Sequence, residues 1–253
     1  EVKVIDEPVT VIVSGKGWVR TRQGHGHDAS QFTFKAGDNL YGTFECRTID
    51  TLLAFGSNGR VYSVAVSGLP GGRGDGVPVT TLIDLAAGTQ IAHTFAGAAE
   101  QRMLIATAGG NGFVTKVGDM IGRQKAGKAF VTLDEGDTLL APTPIGEECT
   151  HVACFSANGR LLLAGLDEVK VLSAGGRGVI LMELEPKETL MQAVAVGAPG
   201  LMISGIGVRG GKVPPQKLAG KTLIPYVGKR ARKGKAIEPR LKEGKIEPVK
   251  VGE

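Results

Sequence analysis

The chain reads LLAFGSNGRVYSV from Leu52 to Val64, two apolar runs joined by an Asn-Gly turn. β-Branched, aromatic and small apolar residues around such a turn are typical of a β-hairpin. The pattern recurs four times, as TVIVSGKGWVR (Thr10–Arg20), MLIATAGGNGFVTKV (Met103–Val117), VACFSANGRLLL (Val152–Leu163) and a weaker copy, LMISGIGVRGGKV, from Leu201. The sequence therefore predicts five hairpins.

Two markers repeat with a common period. We place hairpin turns at Gly17, Gly59, Gly112 and Gly159, spaced by 42, 53 and 47 residues. A second marker, a glycine followed by an acidic or polar residue, leads into a later strand; its copies are Gly37-Asp38, Gly88-Thr89, Gly136-Asp137 and, in degenerate form, Lys187-Glu188. A period near fifty in a strand-rich chain indicates a radial array of four-stranded units.

We therefore expect an all-β, propeller-like fold of about five four-stranded blades, with very little helix. The single domain would cover residues 1–253. Its repeats would run approximately over 1–48, 49–100, 101–148, 149–198 and 199–253, the last with a basic C-terminal segment.

The composition fits a globular β protein. The 39 glycines have no collagen period, and 42% hydrophobic residues can form a core. The three cysteines, Cys46, Cys149 and Cys154, are an odd and sparse set, which argues against a disulfide framework and for a reducing compartment. Cys149 and Cys154 lack the spacing of a zinc site, so we expect both to be small core residues. No apolar run predicts a membrane span. Because the chain starts at Glu1, we expect it to be part of a longer protein.

Positive charge is concentrated at one end. Residues 206–253 hold 13 Lys/Arg against 4 Asp/Glu, a net charge of +9, whereas the preceding 205 residues have a net charge of −4. Such a basic segment favours a polyanionic partner. The alternative is a solvated, partly disordered tail that binds nothing.

Glycine and basic residues are mixed in one loop of each repeat. These loops are RTRQGHG (Arg20–Gly26), GGRGDG (Gly71–Gly76), RQKAGK (Arg123–Lys128), GGRG (Gly175–Gly178) and GKRARKGK (Gly228–Lys235). Glycine permits close approach of a phosphate, and Arg or Lys neutralises it. In a radial array the loops would form a positive arc along one rim. The alternative is a set of turns whose charge is incidental.

The sequence resembles the C-terminal domain found in the A subunit of bacterial topoisomerase IV, which is itself a relative of the gyrase A subunit. The matching stretches are Val9–Arg20, Lys35–Asp38, Gly112–Val114, Ala126–Ala129 and Gly228–Gly234. The resemblance implies a β-pinwheel, a propeller-like fold whose neighbouring blades exchange strands. It also implies that the outer edge binds and bends double-stranded DNA without reading its sequence.

The resemblance carries further expectations about the parent protein. It would be an ATP-dependent type IIA topoisomerase that decatenates and relaxes DNA for chromosome segregation, with a second copy of its A subunit and the ATPase B subunit as partners. ATP and Mg²⁺ would be used elsewhere in that enzyme, in the bacterial cytoplasm at the nucleoid. The gyrase A subunit carries a Gln-Arg-Arg-Gly-Gly-Lys-Gly box, whereas Gln124–Ala129 reads QKAGKA here. This departure favours topoisomerase IV over gyrase.

We expect DNA contacts from the basic residues of these loops. They are Arg20, Arg22, Arg73, Arg123, Lys125, Lys128, Arg177, Lys229, Arg230, Arg232, Lys233 and Lys235. A protein-interaction scaffold with a propeller-type fold and no role on DNA is the alternative, and a propeller enzyme ranks third.

Other motifs do not predict chemistry. Gly205–Gly210 (GIGVRG) matches a dinucleotide fingerprint, but Pro214 and Pro215 would interrupt the required helix. His25, His27 and Asp28 form a short cluster that we interpret as a surface turn rather than a metal site. We therefore expect no catalytic residue, metal site or cofactor in this chain.

Overall fold

The computed structural model describes residues 3–251. Their contacts divide the chain into two compact units. Unit 1 comprises the described residues up to 101 together with 116–131, and unit 2 comprises 102–115 and the residues from 132 onward. Each unit is described by itself below.

Short antiparallel strands make up most of the regular structure. One four-residue helix, α1 (Val117–Met120), and several 3₁₀ turns accompany them. The strands are β1 (Pro8–Ser14), β2 (Trp18–Gln23), β3 (Leu40–Arg47), β4 (Thr51–Gly56), β5 (Arg60–Ala65), β6 (Val77–Pro78), β7 (Ile91–Gly97), β8 (Arg102–Ala106), β9 (Asn111–Lys116), β10 (Lys128–Ala129), β11 (Thr143–Pro144), β12 (His151–Ser156), β13 (Arg160–Gly165), β14 (Val179–Ile180), β15 (Leu190–Val196), β16 (Leu201–Gly207), β17 (Lys212–Leu218), β18 (Lys235–Ala236) and β19 (Leu241–Pro248).

These strands form five sheets, each lying within one unit except that Lys116, the last residue of β9, is assigned to unit 1. In unit 1, sheet 1 has the order β3-β1-β2-β6 and sheet 2 the order β10-β5-β4-β7. In unit 2, sheets 3, 4 and 5 have the orders β11-β8-β9-β14, β15-β12-β13-β18 and β17-β16-β19. The prediction of an all-β fold built from about five antiparallel blades is confirmed, although sheet 5 has three strands.

In sheets 1 to 4, one of the two edge strands is supplied by the following repeat. The pairs are β6 on β2, β10 on β5, β14 on β9 and β18 on β13. This exchange of strands was implied by the family resemblance. No residue among 3–251 supplies such a strand to sheet 5. The edge strand that would receive it, β17, contains Pro214 and Pro215, which have no N–H to donate.

The hairpin turns follow one geometry in all five sheets. A glycine with φ between 77° and 94° donates its N–H to the carbonyl three residues earlier, at Gly17, Gly59, Gly110, Gly159 and Gly210. The prediction of Gly112 as the third turn glycine was wrong, because Gly112 lies inside β9. The turn glycines Gly59, Gly110, Gly159 and Gly210 are spaced by 51, 49 and 51 residues.

The second marker, a glycine followed by an acidic or polar residue, stabilises hairpin turns through hydrogen bonds. Its first residue has a positive φ in every copy, including 65° at Lys187. The Asp38 carboxylate accepts from the amides of Lys16 and Asn39 at 3.0 and 2.8 Å. Asp137 likewise accepts from the amide of Gly109 at 2.8 Å. These acidic residues are therefore structural caps on neighbouring turns.

Apolar side chains from the central strands fill the space between sheets. In unit 1 one cluster joins sheets 1 and 2, and in unit 2 two clusters join sheets 3 and 4 and sheets 4 and 5. Central strands such as β4 are buried almost continuously, which explains their unbroken apolar runs. Complete burial of one such aliphatic side chain contributes roughly 1.5–3 kcal/mol.

All three cysteines are free, and Cys46 and Cys154 are buried in the core, which was the prediction for Cys154. Burial raises the pKa of each of these two thiols to about 12, which keeps them protonated. Cys149, which was also predicted to be a core residue, is only half-buried and packs against a core cluster of unit 2. Within residues 3–251, no helix has the length and apolar character needed to cross a membrane.

Candidate nucleic-acid interface

Four basic glycine loops occupy equivalent places, each directly before an exchanged strand. We call residues 71–76, 122–127, 173–178 and 228–234 the exchange loops. Each ends in a glycine with a positive φ: Gly76, Gly127, Gly178 and Gly234. A Cβ on any of these four glycines would lie closer than 3.0 Å to a backbone carbonyl oxygen of the strand that receives the exchange. Strand exchange therefore requires these glycines, independently of any phosphate.

In unit 1 the exchange loops display cations without anionic partners. The side chains of Arg73, Arg123 and Lys125 are exposed, and none has a hydrogen-bond or ion-pair partner among residues 3–251. Lys128 is half-buried at the start of β10, and its Nζ donates to the Asp119 carbonyl at 2.8 Å. Lys128 therefore also holds its own loop in place.

In unit 2 two of the predicted cations are paired with acidic residues. Arg177 contacts Asp134 at 2.8 Å, and Lys233 contacts Glu185 at 3.0 Å. Both cations occupy the position directly before the last glycine of their loops. The hydrogen bond and charge of Glu185 raise the pKa of Lys233. Because exposed ion pairs contribute little to stability, a phosphate can replace either acidic partner at small cost.

The last exchange loop contains one structural arginine among exposed cations. Arg230 is half-buried and donates from Nη1 to the Ile180 carbonyl at 2.6 Å. The side chains of Lys229, Arg232 and Lys235 are exposed and have no partner among the described residues. The loop and the strand that follows it therefore retain three cations free to meet an anion.

The first basic stretch differs from the other four. Residues 20–23 belong to β2, and the following segment forms a 3₁₀ turn instead of an exchanged strand. Arg20 is only 4% exposed and donates to the carbonyls of Gly74 and Thr33 at 2.8 and 2.7 Å. The structure therefore makes Arg20 an internal brace, and the expectation that it contacts DNA is withdrawn.

Arg22, by contrast, is exposed, and its guanidinium lies 5.6 Å from the centre of the Phe32 ring. It borders an open cleft of about 630 Å³ that Arg73 also lines. Two of the predicted residues, 51 positions apart in the sequence, are thus brought to one place within unit 1.

The side chains of the histidine cluster form hydrogen bonds with backbone groups. His25 Nε2 lies 2.8 Å from the Cys46 carbonyl, and His27 Nε2 lies 2.7 Å from the Gln23 carbonyl. Asp28 accepts from the hydroxyl and amide of Ser30, which lowers the pKa of its carboxyl. No group of three or more potential metal ligands occurs within residues 3–251.

Sequence reasoning missed the arginines that hold the exchange loops. Arg60 donates to the carbonyls of Ala126 and Gly127, and Arg160 donates to that of Lys233. Both follow the Asn-Gly of a hairpin turn, a signal that was present in the sequence. Arg160 also donates to the buried carboxylate of Glu188. Burial raises the pKa of Glu188, but the hydrogen bonds from Arg160, Glu185 and Ser156 outweigh that effect and lower it overall.

These features define a class of protein, a propeller-type β fold whose repeats exchange strands through basic loops. The family model described as "DNA gyrase C-terminal domain, beta-propeller" matches residues 50–84, 101–145 and 150–196. The chain belongs to this family of DNA gyrase C-terminal domains. The resemblance inferred from the sequence is thereby confirmed.

Curated relatives place the chain more narrowly. It is 38% identical over 244 residues to the A subunit of DNA topoisomerase 4 from Neisseria gonorrhoeae, and 30% identical over 234 residues to that of Escherichia coli K12. These alignments cover 92% and 90% of the chain but only 30% of each relative. The chain thus spans less than a third of the length of these relatives.

Solved structures agree with the sequence relatives. The Escherichia coli ParC C-terminal domain superposes with a TM-score of 0.79 at 28% identity, covering 95% of this chain and 99% of that domain. A DNA gyrase A C-terminal domain superposes with a TM-score of 0.66 at 20% identity, covering 93% of this chain and 80% of the other, and supports the fold alone. The chain therefore corresponds in sequence and fold to a region that is described as a C-terminal domain in the Escherichia coli structure.

Proposed function

We propose that this chain binds duplex DNA through its exchange loops and bends it, without reading base sequence. The observation that carries the proposal is the recurrence of exposed cations in the same loop of different repeats. Arg73, Arg123, Lys125 and Arg232 each project from an exchange loop and have no carboxylate partner among residues 3–251. Cations that are free of internal partners are suited to phosphates, which carry no sequence information.

Bending follows from contacts at several separate loops. Duplex DNA has a persistence length of about 150 base pairs, so a short straight duplex resists curving. A duplex that bends toward successive loops gains further phosphate contacts, and these offset the elastic cost. We propose that this chain handles the transported duplex within a topoisomerase IV that decatenates and relaxes DNA.

The rest of the enzyme would lie outside this chain. We propose that DNA cleavage, ATP hydrolysis and Mg²⁺ binding belong to other parts of a holoenzyme that contains a second A subunit and an ATPase B subunit. The naming of the relatives as A subunits of DNA topoisomerase 4 supports this proposal. A place in the bacterial cytoplasm, at the nucleoid, follows from the same proposal.

A binding titration tests the proposal. Contacts to about five phosphates predict a slope of about −4.5 for the logarithm of the association constant against that of salt concentration. Two linear duplexes of unrelated sequence should bind equally, and a prebent minicircle should bind severalfold more tightly than either, because its bending cost has been met. Absence of binding at 50 mM salt would instead favour the protein-interaction scaffold. Equal affinity for the minicircle and the linear duplexes would remove bending from the proposal.

A further inference from the structure

One strand of sheet 2 holds both ends of the exchange loop 122–127. At one end, the Ser63 hydroxyl donates to the Gly122 carbonyl at 2.9 Å and accepts from the Gly122 amide at 3.1 Å. At the other end, Arg60 donates from Nε to the Ala126 carbonyl at 3.0 Å and from Nη2 to the Gly127 carbonyl at 2.8 Å. Both side chains belong to β5, so the loop is fixed to a buried hairpin.

An arginine that donates to backbone carbonyls of an exchange loop, which we call an arginine brace, also occurs in other sheets. Arg160 has the same place at the start of β13, and its Nη1 donates to the Lys233 carbonyl, which corresponds to that of Ala126. Arg20, two residues further along its strand, donates to the Gly74 carbonyl. Sheet 3 departs from the pattern, because Asn111 stands where Arg60 would be. Three of the four exchange loops thus receive a guanidinium from the preceding repeat.

The hydrogen bonds from Arg60 hold the loop segment that carries Arg123 and Lys125. Between its ends lie Arg123 and Lys125, whose side chains are exposed and have no partner among the described residues, while the Lys125 carbonyl accepts from the Asp84 amide at 2.9 Å. Arg60 is half-buried, and its guanidinium already donates hydrogen bonds to two backbone carbonyls. We propose that Arg60 is a positioning residue for DNA binding: it holds the loop so that Arg123 and Lys125 can contact phosphates, and it does not itself contact DNA. This inference rests on the proposed function.

The planar guanidinium makes the brace specific to arginine. Its forked N–H groups bond two adjacent carbonyls at once, whereas a lysine ammonium is a point charge on a flexible stem. Arg60→Lys therefore keeps the charge near DNA while removing the fork. A released loop has to be re-ordered when DNA binds, which lowers affinity without removing a phosphate contact.

The test is a double-mutant cycle on the full 253-residue chain, measured by DNA titration at about 0.15 M salt. Arg60→Lys should weaken duplex binding by about fivefold or more, the effect expected when binding must re-order two long side chains. In a background of Arg123→Gln with Lys125→Gln, the same change should cost less than about twofold, since the loop no longer carries charges to position. Arg47→Lys is the matched control, because Arg47 is held 2.6 Å from Asp6, outside the exchange loops. It should leave affinity unchanged.

The outcomes separate the inference from the proposed function. If Arg60→Lys weakens binding equally in both backgrounds, Arg60 contacts DNA itself or merely supports the fold, and the inference is overturned. Melting temperatures of all variants distinguish those two causes. If the Arg60→Lys variant binds like wild type while the Arg123→Gln/Lys125→Gln variant binds weakly, only the inference fails. If the double Gln variant binds like wild type, the proposed function fails at this loop and takes the inference with it.

Discussion

Replacement of Arg123 and Lys125 by Glu is expected to weaken duplex binding on the order of 100-fold and to flatten the salt dependence by about two units of slope. Two phosphate contacts are lost, and the new carboxylates repel the same phosphates. Both side chains are exposed and unpaired among residues 3–251, so the fold should tolerate the change. Lys128 is left intact, because its bond to the Asp119 carbonyl holds the loop. The measurement is a titration of one duplex at several salt concentrations.

The control reverses two lysines outside the exchange loops. Lys3→Glu with Lys187→Glu changes the net charge by the same amount, and both lysines are exposed. At about 0.15 M salt the screening length is about 8 Å, so a general loss of charge should matter little. We expect at most about a threefold loss of affinity. Equal losses for the two double variants would show that diffuse net charge, rather than the exchange loops, attracts DNA.

The second large effect concerns glycine and strand exchange. Gly76→Ala should destabilise the protein by about 3 kcal/mol or more, because it combines a left-handed backbone with a clash. Gly76 has φ of 86°, and a Cβ there would overlap the Val19 carbonyl of β2, the strand that receives β6. Urea unfolding followed by circular dichroism measures the loss.

Gly72 provides the matched control within the same loop. Its φ is 87°, almost that of Gly76, but an added Cβ would meet nothing within 4 Å. Gly72→Ala should therefore cost only the left-handed penalty, about 1–2 kcal/mol. Similar losses for both variants would mean that backbone conformation alone, and not the close approach of the exchanged strand, explains the glycine.

The repeats could be predicted because their signals are local. Each hairpin places its apolar runs and turn glycine within about 15 residues, and the chain shows the pattern five times. The third turn was misplaced because GGNG offers more than one glycine for the turn, and only the backbone of Gly110 has the turn geometry. The exchanged strands are two residues long, too short for any periodic pattern, so only the family resemblance implied them.

The interface was harder to predict because its decisive contacts are distant in sequence. In the sequence, Arg20 resembles the other loop cations. In the structure, its guanidinium donates to the Gly74 carbonyl, 54 residues away. Arg177 is partly neutralised by Asp134, 43 residues earlier. Composition locates basic loops, but only the fold distinguishes cations that brace the backbone from cations that remain available to a phosphate.

Lysine footprinting tests the central claim, that DNA lies against the exchange loops and the strands that follow them. Each lysine's acetylation rate would be measured by mass spectrometry, with and without saturating duplex, at about 0.15 M salt. Lys125, Lys229 and Lys235 are exposed and should be modified readily in the free protein. With DNA bound, these three should be protected, while Lys3 and Lys187 should react as before. Protection spread evenly over all five lysines, or restricted to Lys3 and Lys187, would contradict the account.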